Sequence, residues 1–178
     1  MQDFLPRLQD HLLGRLPDQD YDGDETEFTD EQRRTVTFVN NRLYSHKVLR
    51  INYTTYDCRR SQDSLNPRTH ADIMVLSHEE GPDAHPYWYG RIIGIYHMQV
   101  RHLGPESRNV DTQQMDVLYV RWFGRDLSYR AGWKAKRLHR LGFLDSSDPG
   151  AFGFVNPALV VRGAHLIPAF HHGRTAEF

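Results

Sequence analysis

The chain has 178 residues, 39% of them hydrophobic and 12% aromatic, a composition that builds a core and excludes a disordered polymer. No apolar run approaches the roughly 20 residues that a membrane-spanning helix needs, and no basic-then-apolar leader opens the chain. The lone Cys58 excludes an internal disulfide framework and favours a reducing compartment. The net charge of −1 divides into −8 over residues 1–31, where ten acids face Arg7 and Arg15, and +7 over the rest. Arginine carries nearly all of that positive charge, since Lys47, Lys134 and Lys136 are the only lysines. Its planar fork suits phosphate or carboxylate, as a partner or as an internal ion pair.

In chain order, residues 1–16 read as a short helix, with Phe4, Leu5, Leu8, Leu12 and Leu16 at helical spacing and Pro6 in the first turn. An acidic linker follows, from Pro17 to about Asp30. Thr35 to Val39 alternates as a strand, Asn40-Asn41 makes a turn, and Val48 to Tyr56 alternates again. Arg59 to Thr69, polar and holding Asn66-Pro67, reads as a loop. Ile73 to Leu76 is a buried strand, Glu79 to Pro86 a loop, and Tyr87 to Met98 a long strand. Leu103 to Gln114 is polar, and Val117 to Phe123 is a further strand. Ser128 to Leu141 reads as a helix or as an irregular excursion, with Gly132 and Gly142 leaving both open. Phe152 to Asn156 is extended, Ala158 to Arg162 a helical turn, and His165 to Ala169 a closing strand. About five strands with irregular connections describe a mostly β domain, a small barrel or sandwich with helical additions. Ile93, Ile95, Val117, Val120 and Ile167 are its expected inward positions.

Three patterns invite chemistry. Asp18-Gln-Asp-Tyr-Asp-Gly-Asp24 imitates the start of a calcium loop, but the twelfth position, where a bidentate Glu is required, is Thr29, so a solvated acidic linker is the better reading. Eleven histidines are scattered, including His97, His102, His165 and His171-His172, without metal-ligand spacing, and no zinc set or other cofactor is expected. Neither a Gly-x-Ser-x-Gly elbow nor a glycine-rich phosphate loop is present, so the chain reads as a binding module and not an enzyme. The third pattern is the basic stretch Arg121, Arg125, Arg130, Lys134, Lys136, Arg137 and Arg140, opposed only by Asp126 and interleaved with Trp122, Phe123, Tyr129 and Trp133. Cations with stacking aromatics suit a phosphate backbone and unpaired bases, and equally suit a solvated face whose aromatics enter the core.

Two stretches, His85-Pro-Tyr-Trp-Tyr-Gly-Arg-Ile-Ile-Gly-Ile-Tyr96 and Leu118-Tyr-Val-Arg-Trp-Phe-Gly-Arg125, together resemble the central strand pair of BAH domains, and Asn156-Pro-Ala-Leu-Val-Val-Arg-Gly-Ala-His-Leu-Ile-Pro168 resembles the closing segment of that fold. Across most of the chain, Asp3-Phe-Leu-Pro6, Asp20-Tyr-Asp-Gly-Asp24, Val48-Leu-Arg-Ile-Asn-Tyr-Thr-Thr-Tyr-Asp57, Asn66-Pro-Arg-Thr-His-Ala-Asp-Ile-Met-Val75 and His165-Leu-Ile-Pro-Ala-Phe170 resemble a segment of fungal transposon-encoded proteins of the Plavaka group, in the Kyakuja–Dileera–Zisupton class. The resemblance implies an SH3-like, BAH-like β-barrel over residues 32–172, preceded by an N-terminal helix and acidic linker at 1–31 and followed by a tail at 173–178. It further implies a nuclear, chromatin-associated module that takes a histone tail or partner protein, and not a membrane. BAH domains that read methylated tails hold the ammonium in an aromatic cage. The strand aromatics of that cage fall here at Trp88 and Trp122, with Asp126 as the assisting acid and Phe143, Phe152 and Phe154 as the loop aromatics on offer. The alternative in which both tryptophans fill the barrel stays open. Direct DNA binding through the Arg121–Arg140 stretch is the second expectation, and a hydrolase built from clustered carboxylates and histidines is the third.

Overall fold

A computed structural model describes residues 3–16, 28–81, 84–105, 107 and 109–172. The calcium-loop imitation, at 18–24, lies outside the described residues. Helix α1 spans Phe4–Arg15. Pro6 sits in its first turn, where a missing N–H breaks no bond, and Leu8, Leu12 and Leu13 form its buried face. A second helix, α2 (Asp30–Arg33), opens on a reciprocal cap: the Thr29 hydroxyl accepts from the Gln32 amide, and the Gln32 side chain accepts from the Thr29 amide. Arg33 donates two bonds to the Asp10 carboxylate, at 2.7 and 2.9 Å, and ties α2 to α1.

Among the described residues ten strands follow: β1 (Val36–Phe38), β2 (Tyr44–His46), β3 (Leu49–Thr54), β4 (Arg60–Leu65), β5 (Asp72–Leu76), β6 (Tyr87–His102), β7 (Gln113–Arg125), β8 (Leu141–Phe143), β9 (Phe152–Val155) and β10 (Val160–Gly163). The long antiparallel β6–β7 ribbon is the spine. One edge of β6 pairs with β5, β2 and β1 in succession, β7 pairs with β9 and β8, and β10 adds to β5. The hydrogen-bonded path runs from β10 to β8, while β3 and β4 form a separate two-stranded sheet.

Two cores lie on opposite faces of the ribbon. Ile51, Leu65, Ile73, Val75, Ile92, Ile95, Leu118, Val120, Val155 and Val160 fill the first, beneath the β3–β4 hairpin. Leu8, Leu12 and Leu13 of α1 close the second over Met98, Val100, Met115, Val117 and Phe154. A bulge links the two. Ile92 pairs with Val120 and Gly94 with Tyr119, which leaves Ile93 as the extra residue of β6. The side-chain alternation therefore flips, so Ile92 and Ile95 both point into the first core while Tyr96, Met98 and Val100 turn to the second.

That bulge overturns one expected core position: Ile93 is 41% exposed, whereas Ile95, Val117 and Val120 are buried as expected. Ile167 is 67% exposed because 165–169 is not a strand; Val160–Gly163 closes the sheet instead, after a single 3-10 turn at Pro157–Leu159. Part of the polar loop expected at 59–69 is strand β4, whose alternation is hidden because only Leu65 of its inward residues is apolar. Its place is held by pairing with β3 and by Asp63, which accepts from the Gly163 amide at 2.9 Å. Between Ser128 and Leu141 the irregular alternative holds, with one 3-10 turn at Trp133–Ala135.

Candidate functional site

The two tryptophans expected to bind a ligand stand together at one end of the ribbon. Trp122 lies opposite Gly90 and Trp88 one step diagonal to it, so both share the face of the first core. Their rings meet edge to face, 6.2 Å apart at 72°. A Cβ at position 90 would stand 3.1 Å from the Trp122 ring, so the glycine gives the indole room to lie over the strand. Both rings are half-buried and pack on the core.

The acid beside them is Glu79, and not the expected Asp126. Its carboxylate accepts from the Trp88 indole at 2.8 Å, the His85 amide at 3.2 Å and Arg125 at 3.5 Å. The Trp88 bond foremost, then the His85 amide and the Arg125 charge, hold its carboxyl below the usual range. Asp126 is engaged elsewhere: it accepts from the Ser128 amide and hydroxyl, which lower its carboxyl pKa and cap the turn leaving β7. The three loop phenylalanines align with odd positions of β7, on the face away from Trp122. Phe143 stacks on Phe123 at 4.3 Å, Phe152 on Tyr119 at 6.0 Å, and Phe154 lies in the second core.

The basic stretch separates into three environments. Arg121 occupies an odd, inward position and is only 6% exposed, its guanidinium 4.3 Å from the Phe143 ring and 5.6 Å from that of Phe152. Directly across from it, Arg91 is held by Asp72 through two bonds of 2.7 and 3.0 Å. Arg125 turns back to Glu79. The other five cations lie on the connection between β7 and β8, residues 126–140.

That connection is an ordered hairpin. The Asp126 amide donates to the Arg140 carbonyl at its base, and the Gly132 amide to the Arg137 carbonyl near its tip. Arg140 stacks over Tyr129 at 3.7 Å, with Arg137 at 5.9 Å from the same ring. Gly132, at φ +92°, and Lys136, at φ +50°, bracket the tip turn. Arg130, Lys134, Lys136 and Arg137 are exposed, and Trp133 between them is 98% exposed. Five cations against Asp126 alone give the hairpin a charge of +4. At its base His139 meets His85 at 4.7 Å, and Nε2 of His85 contacts the Tyr89 hydroxyl at 3.2 Å. Burial first, then the neighbouring His139 and Arg125, push the His85 pKa down.

Among the described residues no group of three or more His, Cys, Asp or Glu side chains comes together to hold a metal. His97 stacks on Tyr44 at 4.8 Å and touches His46, while His102 is buried and His165 exposed. No helix of the described residues is long and apolar enough to cross a membrane. Comparison with family models, with curated proteins and with solved structures returns no match to this chain.

Proposed function

We propose that this chain is a transposon-derived, nuclear binding module on a BAH-like, SH3-like barrel scaffold, and that its working surface is the β7–β8 hairpin, which grips nucleic-acid phosphate. One observation carries the reading: five cations and a single acid are gathered on one ordered hairpin, with Arg130, Lys134, Lys136 and Arg137 turned to solvent. A polyanion releases its own counterions when such charges approach, and that release drives binding whatever the sequence. Arg121 and Arg125 belong to the scaffold in this account, since their guanidinium groups are spent on Phe143, Phe152 and Glu79.

The histone-tail reading would rest on Trp88, Trp122 and Glu79. It requires Arg125 to leave Glu79, so that a methylammonium can take its place beside the two rings. Arg130, Lys134, Lys136 and Arg137 of the hairpin are already exposed and need no such rearrangement.

The test is fluorescence anisotropy with a duplex of arbitrary sequence over a salt series. With all five hairpin cations engaged, the slope of log affinity against log salt is about −4.5, a fall of about 500-fold for a fourfold rise in salt. Lys134→Ala and Arg137→Ala should each flatten the slope by about one unit. Salt-independent binding, or slopes unchanged in both variants, would refute the proposal.

A further inference from the structure

Phosphate binding explains the cations of the hairpin and leaves its tip unexplained. An indole that is 98% exposed forgoes the burial that normally stabilises a tryptophan, and this one is also presented by constrained backbone. Gly132 enters the turn at φ +92°, Lys136 leaves it in a left-handed conformation that a lysine rarely adopts, and the Gly132–Arg137 bridge closes the loop beneath. The hairpin's other outward aromatic, Tyr129, already has a partner in Arg140 at 3.7 Å. Trp133 is therefore the ring on this hairpin that a ligand can stack upon, and the exposed Lys134, Lys136 and Arg137 follow it within four residues.

We infer that the hairpin prefers single-stranded nucleic acid, with an unpaired base stacked on Trp133 and the adjoining phosphates held by Lys134, Lys136 and Arg137. The inference rests on the nucleic-acid reading above and adds the class of strand. A duplex offers phosphates and base edges, but its base faces are occupied by their neighbours in the stack. Only an unpaired base has a face to give an indole, and such stacking tolerates any sequence. An anionic membrane is the competing partner for an indole among lysines; neither of the hairpin's exposed aliphatic residues, Leu127 and Leu138, lies in the Trp133–Lys136 turn, so Trp133 would be the single large apolar side chain such an anchor could insert.

The experiment measures the affinity of the full chain for an oligothymidylate of about 20 nucleotides, for a duplex of equal length and for phosphatidylserine-containing vesicles, with wild type, Trp133→Ala and Trp133→Phe. Trp133→Ala should weaken oligothymidylate binding by about 5- to 150-fold and leave duplex binding within about twofold, while Trp133→Phe keeps most of the affinity. Indole fluorescence should fall on oligothymidylate binding in wild type and not in Trp133→Phe. The exposure of Trp133 means that neither substitution threatens the fold, which unchanged melting curves would verify. Equal losses on duplex and single strand, or no loss on either, would overturn the single-strand preference while leaving the phosphate reading in place. Wild type that binds neither nucleic acid at low salt, or binds vesicles alone, would overturn both.

Discussion

His11 gives the fold an acid-sensitive point whose size follows from its surroundings. It lies on the buried face of α1, 4% exposed, 6.0 Å from the Phe154 ring. Arg15 reaches its Nε2 at 3.4 Å and also donates to the Asp116 carbonyl at 2.8 Å. A guanidinium has no lone pair to accept with, so Nε2 must keep its own and the ring is neutral. Burial foremost, and then the Arg15 charge, push the His11 pKa down to about 3. In the unfolded chain it returns to about 6.5. Below that value the unfolded state binds a proton that the native state refuses, so stability is complete above it and is lost as the pH falls toward 3. At pH 4.5, two units below the unfolded value, the loss is about 2.7 kcal/mol. His11→Gln keeps a neutral acceptor for Arg15 and cannot titrate. Urea unfolding followed by circular dichroism should therefore show wild type losing stability relative to His11→Gln by about 2.7 kcal/mol between neutral pH and pH 4.5. His85, also shifted down, titrates in both proteins and cancels in the comparison. Parallel pH profiles for the two would show that His11 is not held neutral against α1 and the sheet.

Other substitutions test the register and the ties between elements. Ile92→Ala should cost about 2–5 kcal/mol in urea unfolding and Ile93→Ala about 0.5 or less, because the bulge sends the first side chain into the core and the second out of it. Equal costs would place the bulge elsewhere. Ile167→Ala should be similarly silent in the same assay, with a loss above about 1 kcal/mol arguing for a packed closing segment. Asp10→Asn removes the carboxylate that holds Arg33 through two bonds, and should speed amide exchange over residues 29–35 while leaving β6 and β7 protected.

The ribbon was legible because β6 and β7 carry apolar and aromatic residues with a period of two, and α1 because Leu8 and Leu12 recur at helical spacing. The bulge was not. Ile92-Ile-Gly-Ile95 reads as one apolar run, and nothing in it says which isoleucine is the extra residue. Strand β4 escaped because Ser61 and Asp63 alternate with residues equally polar, and β2 because all three of its residues face solvent. The site was legible in composition and not in arrangement. Arg121 resembles its basic neighbours until its alternation with Tyr119 and Phe123 is followed into the sheet. The three tryptophans also read alike. Two pack on the core because they lie on strands, and one stands free because the chain between Asp126 and Arg140 folds back on itself. Glu79 had no signal, since it reaches Trp88 across a loop whose spacing no motif records.

Chemical-shift perturbation on adding oligothymidylate at low salt would map, amide by amide, where nucleic acid touches the protein. Shifts should concentrate at Tyr129 to Arg140, with the Trp133 indole among the largest and the His78–Trp88 segment little changed beyond His85. Shifts centred on Trp88, Trp122 and Glu79 with the hairpin unmoved would contradict hairpin binding and transfer the binding surface to the tryptophan end of the ribbon.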